Sequence, residues 1–429
     1  MQGASNQALR DADQRATALL RTRRVAEALA IYERMCAVAP DQAWIAIQQG
    51  RALLLGDDSA RARGHFEALT RRFPTLEVAW QGLGKALYDQ HRCDAAVAAF
   101  TRAAELSDAP ALALYHRGMA HLLAGNFSDG WRDYEQRFGV PALRPRNFER
   151  SRWDGTRLNG RRLLVVCEQG YGDVFQFIRY LPGLRAAGGT VVFECPGELR
   201  SLLEPLLDGI EVVPLTGFAA PATRFDCYAS LLSLPYLTGT TLGNMPSLVP
   251  YLQAAPLPPP GEGSPSPGGS PCRRVGVRWA GSPTHPQDLH RSLHPELLAP
   301  LATVPGVILH SLQKHSTHWP ALPGLDAFLA PPPLPLTDFM VTARTIMGLD
   351  LVITVDTSVA HLAGALGRPV WLLLSTDGEW RWLLERSDSP WYPTLRIFRQ
   401  PRLGAWAALI DEVRAALASS TPALATVRQ

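Results

Sequence analysis

Apolar and small residues recur along the first third of the chain with a single step of 34. Tyr32, Phe66, Phe100 and Tyr134 form one column, and Gly50, Gly84 and Gly118, with Ala16 one step earlier, form another. Ala28, Ala62, Ala96 and Gly130 keep the same step, as do Leu20, Leu54, Tyr88 and Leu122. Pro40 and Pro74 are also one step apart, and Asp108 beside Pro110 marks the next. A repeat of this length fits a helical hairpin that cannot bury its apolar face alone and stacks on its neighbours. The small columns fit where two helices approach closely, and the aromatic column fills the space between hairpins. The prolines punctuate the turn into the next unit. The pattern predicts four units at about 9–42, 43–76, 77–110 and 111–144, with the first and last less regular, as capping repeats are.

After a basic connector from Arg144 to Arg152 the pattern changes. Buried-strand runs are predicted at 161–167, 190–194, 211–213 and 225–229, with helices over 174–184 and 198–207 and a turn over 168–173 between the first strand and helix. Residues 254–271, AAPLPPPGEGSPSPGGSP, cannot build a core and predict a linker. Beyond it, strands are predicted at 274–279, 307–312, 351–355 and 370–374, and helices at 297–303, 338–347 and 358–366. Alternation of this kind implies parallel sheets covered on both faces. The fold class is therefore α plus α/β: a helical-hairpin array over 9–144, then two doubly wound domains at 145–253 and 272–418. Two such domains form a cleft at the carboxyl ends of their strands.

Composition narrows the function classes. With 46% hydrophobic and 19% charged residues the chain is globular, and no apolar run approaches the ~20 residues that span a bilayer. The opening MQGASNQALRDADQRA lacks a basic-then-apolar leader pattern. A net charge of +3 gives no argument for nucleic acid or an anionic membrane. The six cysteines are scattered without a CxxC pair, and a reduced, cytoplasmic compartment is expected.

Three segments hold candidate chemistry. In Asp356-Thr357-Ser358-Val359-Ala360-His361 a strand ends and Thr357 or Ser358 caps a helix, with His361 in its first turn. Backbone N–H groups and the helix dipole make such a start an anion site, to which two hydroxyls and an imidazole add donors. That suits a diphosphate that gains charge as it leaves. The same residues also read as ordinary caps and a packing histidine. In Gln169-Gly170-Tyr171-Gly172-Asp173 the glycines allow close backbone approach, and Asp173 can take a proton from an acceptor hydroxyl or simply cap a helix. Phe175 breaks the dinucleotide fingerprint GxGxxG. In the third, a strand runs into Ala280-Gly281-Ser282 and then His290-Arg291-Ser292. Ser282 and Arg291 can bond departing phosphates, although Arg291 also reads as a solvated loop residue. Gln313 is a candidate for nucleoside contacts. Trp380, Trp382, Trp391 and Tyr392 read as core rather than as a ligand platform. There is no GxSxG, HExxH or outstanding DxD, and His310, His315 and His318 lack partners at ligand spacing, so a metal-independent site without a cofactor is expected.

The run Trp80, Leu83, Gly84, Tyr88, Ala96, Phe100 resembles the tetratricopeptide repeat. The whole pattern resembles bacterial proteins in which such repeats precede a glycosyltransferase family 9-like, heptosyltransferase-like domain. The stretches that carry this are LLVVCEQGYGDVFQFIRYLP, Val275 to Leu293, and Asp350 to Pro393 with DTSVAHLAGALGRPVW and WRWLLERSDSPWYP. The resemblance implies a GT-B fold, with an acceptor-side N-terminal half and a C-terminal half that holds a nucleotide-sugar. It implies Asp173 as base, with Gln169, Gly170 and Gly172 in its loop, and Asp356, Thr357, Ser358, His361 and Arg291 around the donor diphosphate. Ser358 replaces the family's usual glycine, Tyr171 a more usual leucine, and Gln313 stands near where heptosyltransferases have a ribose-binding acid. The implied partners are a nucleoside-diphosphate sugar and a protein or peptide met by the repeats. The alternatives are a non-catalytic tetratricopeptide adaptor and a lipopolysaccharide-core or small-molecule transferase.

Overall fold

The structure is a computed structural model and describes residues 2–143, 146–185, 188–217, 219, 221–257, 272–285, 287–314, 324–376 and 378–420. The chain divides into two compact units: residues 1–145 with 378–384, and residues 146–377 with 385–429.

The first unit is the hairpin array. Its helices are α1 (Gln2–Arg21), α2 (Val25–Val38), α3 (Ala43–Leu55), α4 (Ser59–Arg72), α5 (Glu77–Asp89), α6 (Cys93–Leu106), α7 (Ala111–Leu123) and α8 (Phe127–Tyr134). The columns do what their sizes dictate. A β-carbon on Gly50 would lie 2.4 Å from the Phe66 ring, and one on Gly82, in the next hairpin, 2.3 Å from the same ring. Phe66 therefore fills the seam between two hairpins and requires glycine on both sides. Gly84 meets Phe100 in the same way. Residues 378–384 pack into this unit: the Tyr88 hydroxyl donates to the Gly378 carbonyl at 2.9 Å, and Trp380 stands edge-on to Trp131 at 5.2 Å.

The second unit holds two five-stranded sheets, parallel throughout. The first comprises β1 (Ser151–Arg152), β2 (Arg162–Val166), β3 (Thr190–Cys195), β4 (Glu211–Pro214) and β5 (Cys227–Ser230), in the order β1-β5-β2-β3-β4. The second comprises β6 (Arg273–Arg278), β7 (Val307–Ser311), β8 (Leu351–Val355), β9 (Val370–Leu374) and β10 (Leu395–Arg399), in the order β10-β9-β8-β6-β7. Around them lie α9 (Tyr171–Phe177), α10 (Leu181–Leu184), α11 (Arg200–Leu203), α12 (Leu234–Leu237), α13 (Asp288–Arg291), α14 (Ala299–Ala302), α15 (Phe339–Met347), α16 (Ser358–Ala365) and α17 (Trp406–Ser420). β8 and β9 are buried at every position, as strands covered on both faces must be. Tetratricopeptide-type hairpins followed by two Rossmann-like sheets make up the fold. In each sheet the strand order reverses beside one strand, between β2 and β5 and between β6 and β8, and α/β folds bind ligands at the carboxyl ends of such strands.

Several elements depart from the sequence pattern. The helix expected over 174–184 starts at Tyr171 and breaks into α9, a 3-10 turn and α10, where Pro182 intervenes. The one expected over 198–207 breaks likewise at Pro205, and that over 297–303 is a 3-10 turn followed by α14 with Pro300. A proline lacks the N–H that would continue the ladder. Strands β1 and β10 and helix α17 have no counterpart in the predicted elements. The Trp and Tyr cluster is core, but in two places, since Trp380 and Trp382 belong to the first unit and Trp391 and Tyr392 to the second. Of the expected linker, 258–271 lies outside the described residues, as do His315 and His318. The segment before it is tied down: the N–H groups of Tyr251 and Leu252 donate to Ala365, and that of Leu257 to Arg344. The basic connector is anchored too, because Arg146 grips buried Glu194 with both terminal nitrogens.

Candidate functional site

The carboxyl ends of β6 and β8 bring three loops together. β8 ends at Val355, and Thr357 takes the extended conformation that caps α16, its hydroxyl accepting the Val359 N–H at 3.3 Å. Thr357 is buried and also bonds Thr354 at 3.2 Å, so it is the cap, while Ser358 opens the helix half-buried. The dipole of α16 points its positive end into this corner.

Arg291 closes the corner from the β6 side. Its Nε donates to Asp288 at 3.3 Å and a terminal nitrogen donates to the Asp356 carbonyl at 3.1 Å. It is thus a partly buried clasp between two loops rather than a solvated arginine. Gly281 lies flat against it, since a β-carbon there would sit 2.3 Å from the guanidinium. Behind it, at the end of β6, Arg278 donates to the Leu312 carbonyl at 3.0 Å. Burial first, and then the charge of Arg291, pull the Arg278 pKa down to about 10, with Asp288 opposing. The two guanidiniums repel, and the Asp288 carboxylate beside Arg291 offsets part of that charge. Arg278 had no assigned role in the sequence, where it closes the strand RRVGVR just before the small-residue loop.

Other candidates are placed differently. Ser282 is exposed, with its hydroxyl 2.8 Å from that of Thr284. Gln313 is buried, and its amide oxygen accepts the Ala280 N–H at 3.2 Å, which sets the loop after β6. Gln169 and Gly170 are exposed at the carboxyl end of β2, and Asp173 is half-buried in the first turn of α9, its N–H donating to Gly170 at 3.0 Å.

Gly172 joins the two halves of the second unit. A β-carbon there would stand 2.9 Å from Cδ2 and 3.6 Å from Nε2 of His361, and 3.6 Å from Cα of Ser358. The turn that carries Asp173 therefore lies directly on the tip of α16. Rings reinforce the contact: Tyr171 and Phe175 both stand edge-on to Phe339 at the start of α15, at 5.0 and 5.1 Å. His361 is buried, with Nδ1 3.0 Å from the Tyr392 hydroxyl. Arg179, buried in the run after α9, donates to the carbonyls of Gln176, Pro246 and Trp391 and to the Tyr251 hydroxyl. Tyr251, Tyr392 and Arg179 were not among the sequence candidates, although an arginine inside the apolar run FQFIRYLP was a signal.

Comparison with known proteins bears on both units. Residues 82–137 match the tetratricopeptide repeat family model. Protein FlbA of Caulobacter vibrioides is 27% identical over 94% of this chain and 71% of its own length. Among solved structures, a thermophilic tetratricopeptide protein of Thermus thermophilus, TTC0263, is 16% identical over 31% of this chain and 75% of its own, with a TM-score of 0.29. The E. coli heptosyltransferase WaaC with ADP-2-deoxy-2-fluoro heptose is 15% identical over 59% of this chain and 99% of its own, with a TM-score of 0.39.

Proposed function

We propose that the second unit is a glycosyltransferase that moves a sugar from a nucleoside diphosphate to a hydroxyl acceptor, and that the repeats receive the protein or peptide bearing it. The observation that carries this reading is the contact of Gly172 with His361, which sets the carboxylate-bearing turn of one sheet against the cationic helix tip of the other. The diphosphate binds at the start of α16 beside Arg291, with Arg278 adding charge behind it; in this reading no divalent metal is needed to offset the leaving group. Asp173 takes the acceptor proton as the hydroxyl oxygen attacks the anomeric carbon, and the bond from that carbon to the phosphate oxygen breaks. A second reading, an adaptor that binds without turnover, draws on Thr357 and Gln313, whose side-chain oxygens are engaged inside the protein. Release of nucleoside diphosphate from a panel of nucleotide-sugars tests the two. The transferase reading expects release that falls at least ~100-fold in Asp173→Asn with donor binding retained. Saturable binding without release from any donor leaves the adaptor.

A further inference from the structure

Gln313 stands at the carboxyl end of β7, where hydrogen bonds fix both its backbone and its side chain. Its own N–H donates to the Ser311 hydroxyl at 3.2 Å. The preceding Leu312 is held on both sides, its N–H donating to the Val277 carbonyl at 2.9 Å and its carbonyl accepting from Arg278 at 3.0 Å. The Gln313 side chain is only 3% exposed, and its amide oxygen accepts the Ala280 N–H at 3.2 Å. A backbone N–H only donates, so the oxygen and not the nitrogen faces Ala280. That settles the amide: the loop after β6 holds the oxygen, and the NH2 group turns away from it. Among the described residues none accepts from that nitrogen. The nitrogen is not sealed off either, so the little of Gln313 that solvent touches includes it.

We infer that Gln313 determines specificity for the base of the donor nucleotide, its NH2 group donating to an exocyclic carbonyl of that base. The inference rests on the glycosyltransferase reading of this site. Strands β8, β6 and β7 are consecutive in their sheet, so Gln313 lies two strand spacings, roughly 10 Å, from the tip of α16 that follows β8. A diphosphate at that tip sends its nucleoside along the carboxyl edge of the sheet; the ribose fills the interval and the base comes level with Gln313. A carboxylate in this place would present an acceptor, and the anchored amide presents donors instead. Two N–H groups on one nitrogen suit a carbonyl oxygen, which has two lone pairs, whereas the amine of adenine or cytosine sets N–H against N–H. Uracil or guanine is therefore taken in preference to cytosine or adenine.

Calorimetric titration of the 429-residue chain with ADP, GDP, CDP and UDP tests this. UDP and CDP carry the same charge, as do GDP and ADP, so the affinity ratio within each pair cancels the diphosphate contribution. Within the pair that binds, the carbonyl base is expected to bind at least ~5-fold tighter, because the amine leaves donors unpaired. That ratio is read on the wild type and needs no variant. Gln313→Ala should level it. Gln313→Glu keeps an oxygen for Ala280 and turns a second acceptor outward, so it should invert the preference. Arg291→Ala should weaken all the nucleotides alike and leave the ratio unchanged. Binding without a carbonyl preference, or a preference that survives in Gln313→Ala, overturns the base assignment while the diphosphate site stands. The 2′-deoxy forms separate base from ribose: a loss on removing the 2′-hydroxyl that disappears in Gln313→Ala places the ribose at Gln313 and contradicts the inference. If no nucleotide binds, the transferase reading fails and the base assignment falls with it.

Discussion

His116 shows how one enclosed side chain sets a pH limit for the repeat unit. It is hydrogen-bonded to Gln81, and burial, aided by the charge of Lys85, holds its pKa down at about 4. The unfolded chain binds this proton near the ordinary value of about 6.5, so between the two values the unfolded state carries more protons. Stability is therefore complete above about pH 6.5 and falls as pH drops toward 4, by about 3 kcal/mol if His116 acts alone. Urea unfolding at pH 7.5 and 4.5 should show this loss, and His116→Gln should remove most of it. Other residues read one way in sequence and act another way in the fold. Gly172 promised close backbone approach, yet the space beside it is filled by His361 of this protein, and Arg291 fills the space beside Gly281 in the same way. Such occupancy joins residues far apart in sequence, and spacing does not reveal it.

At the scale of elements, the hairpin turns carry a column that residue type conceals. Arg23, Asp57, His91 and Gly125 follow the step of 34 and all have positive φ, at 60°, 60°, 58° and 82°. A side chain in this region costs about 1–2 kcal/mol, which glycine avoids in exchange for a more flexible unfolded chain. Arg23→Gly should therefore raise the stability of the repeat unit by about 0.5–1 kcal/mol, and Gly125→Ala should lower it by a similar amount, as read from thermal unfolding. The hairpins were legible because four columns repeat one spacing. The parallel strands were legible because β9 is a continuous apolar run and β8 is broken only by Thr354. The short helices were not, because apolar periodicity runs on through Pro182, Pro205 and Pro300 whereas the N–H ladder cannot. β10 was missed because LRIFR puts arginines at two of its five positions.

For the molecule as a whole, the division into units does not follow the sequence. Residues 378–384 lie in the loop after β9 yet belong to the repeat unit, where Trp380 and Trp382 are buried and Trp380 packs on Trp131 and Tyr134. A chain beginning at residue 146 loses the ring partners of Trp380 and gains an exposed aromatic patch. Size-exclusion chromatography with light scattering should show such a chain aggregating, whereas a stable monomer would mean that the loop finds cover elsewhere. Within the 429-residue chain, Trp131→Ala should cost the repeat unit about 3–5 kcal/mol.

The central claim is that the tip of α16, with Arg291 and Arg278, grips a nucleoside diphosphate. Thermal unfolding in the presence of ADP, GDP, UDP and their sugars tests it most directly, because a ligand at about 100 times its dissociation constant adds ~2.7 kcal/mol of stability. At least one of these nucleotides should stabilise the protein, and Arg291→Ala should abolish that shift. No stabilisation by any of them, or a shift that Arg291→Ala leaves intact, would contradict it.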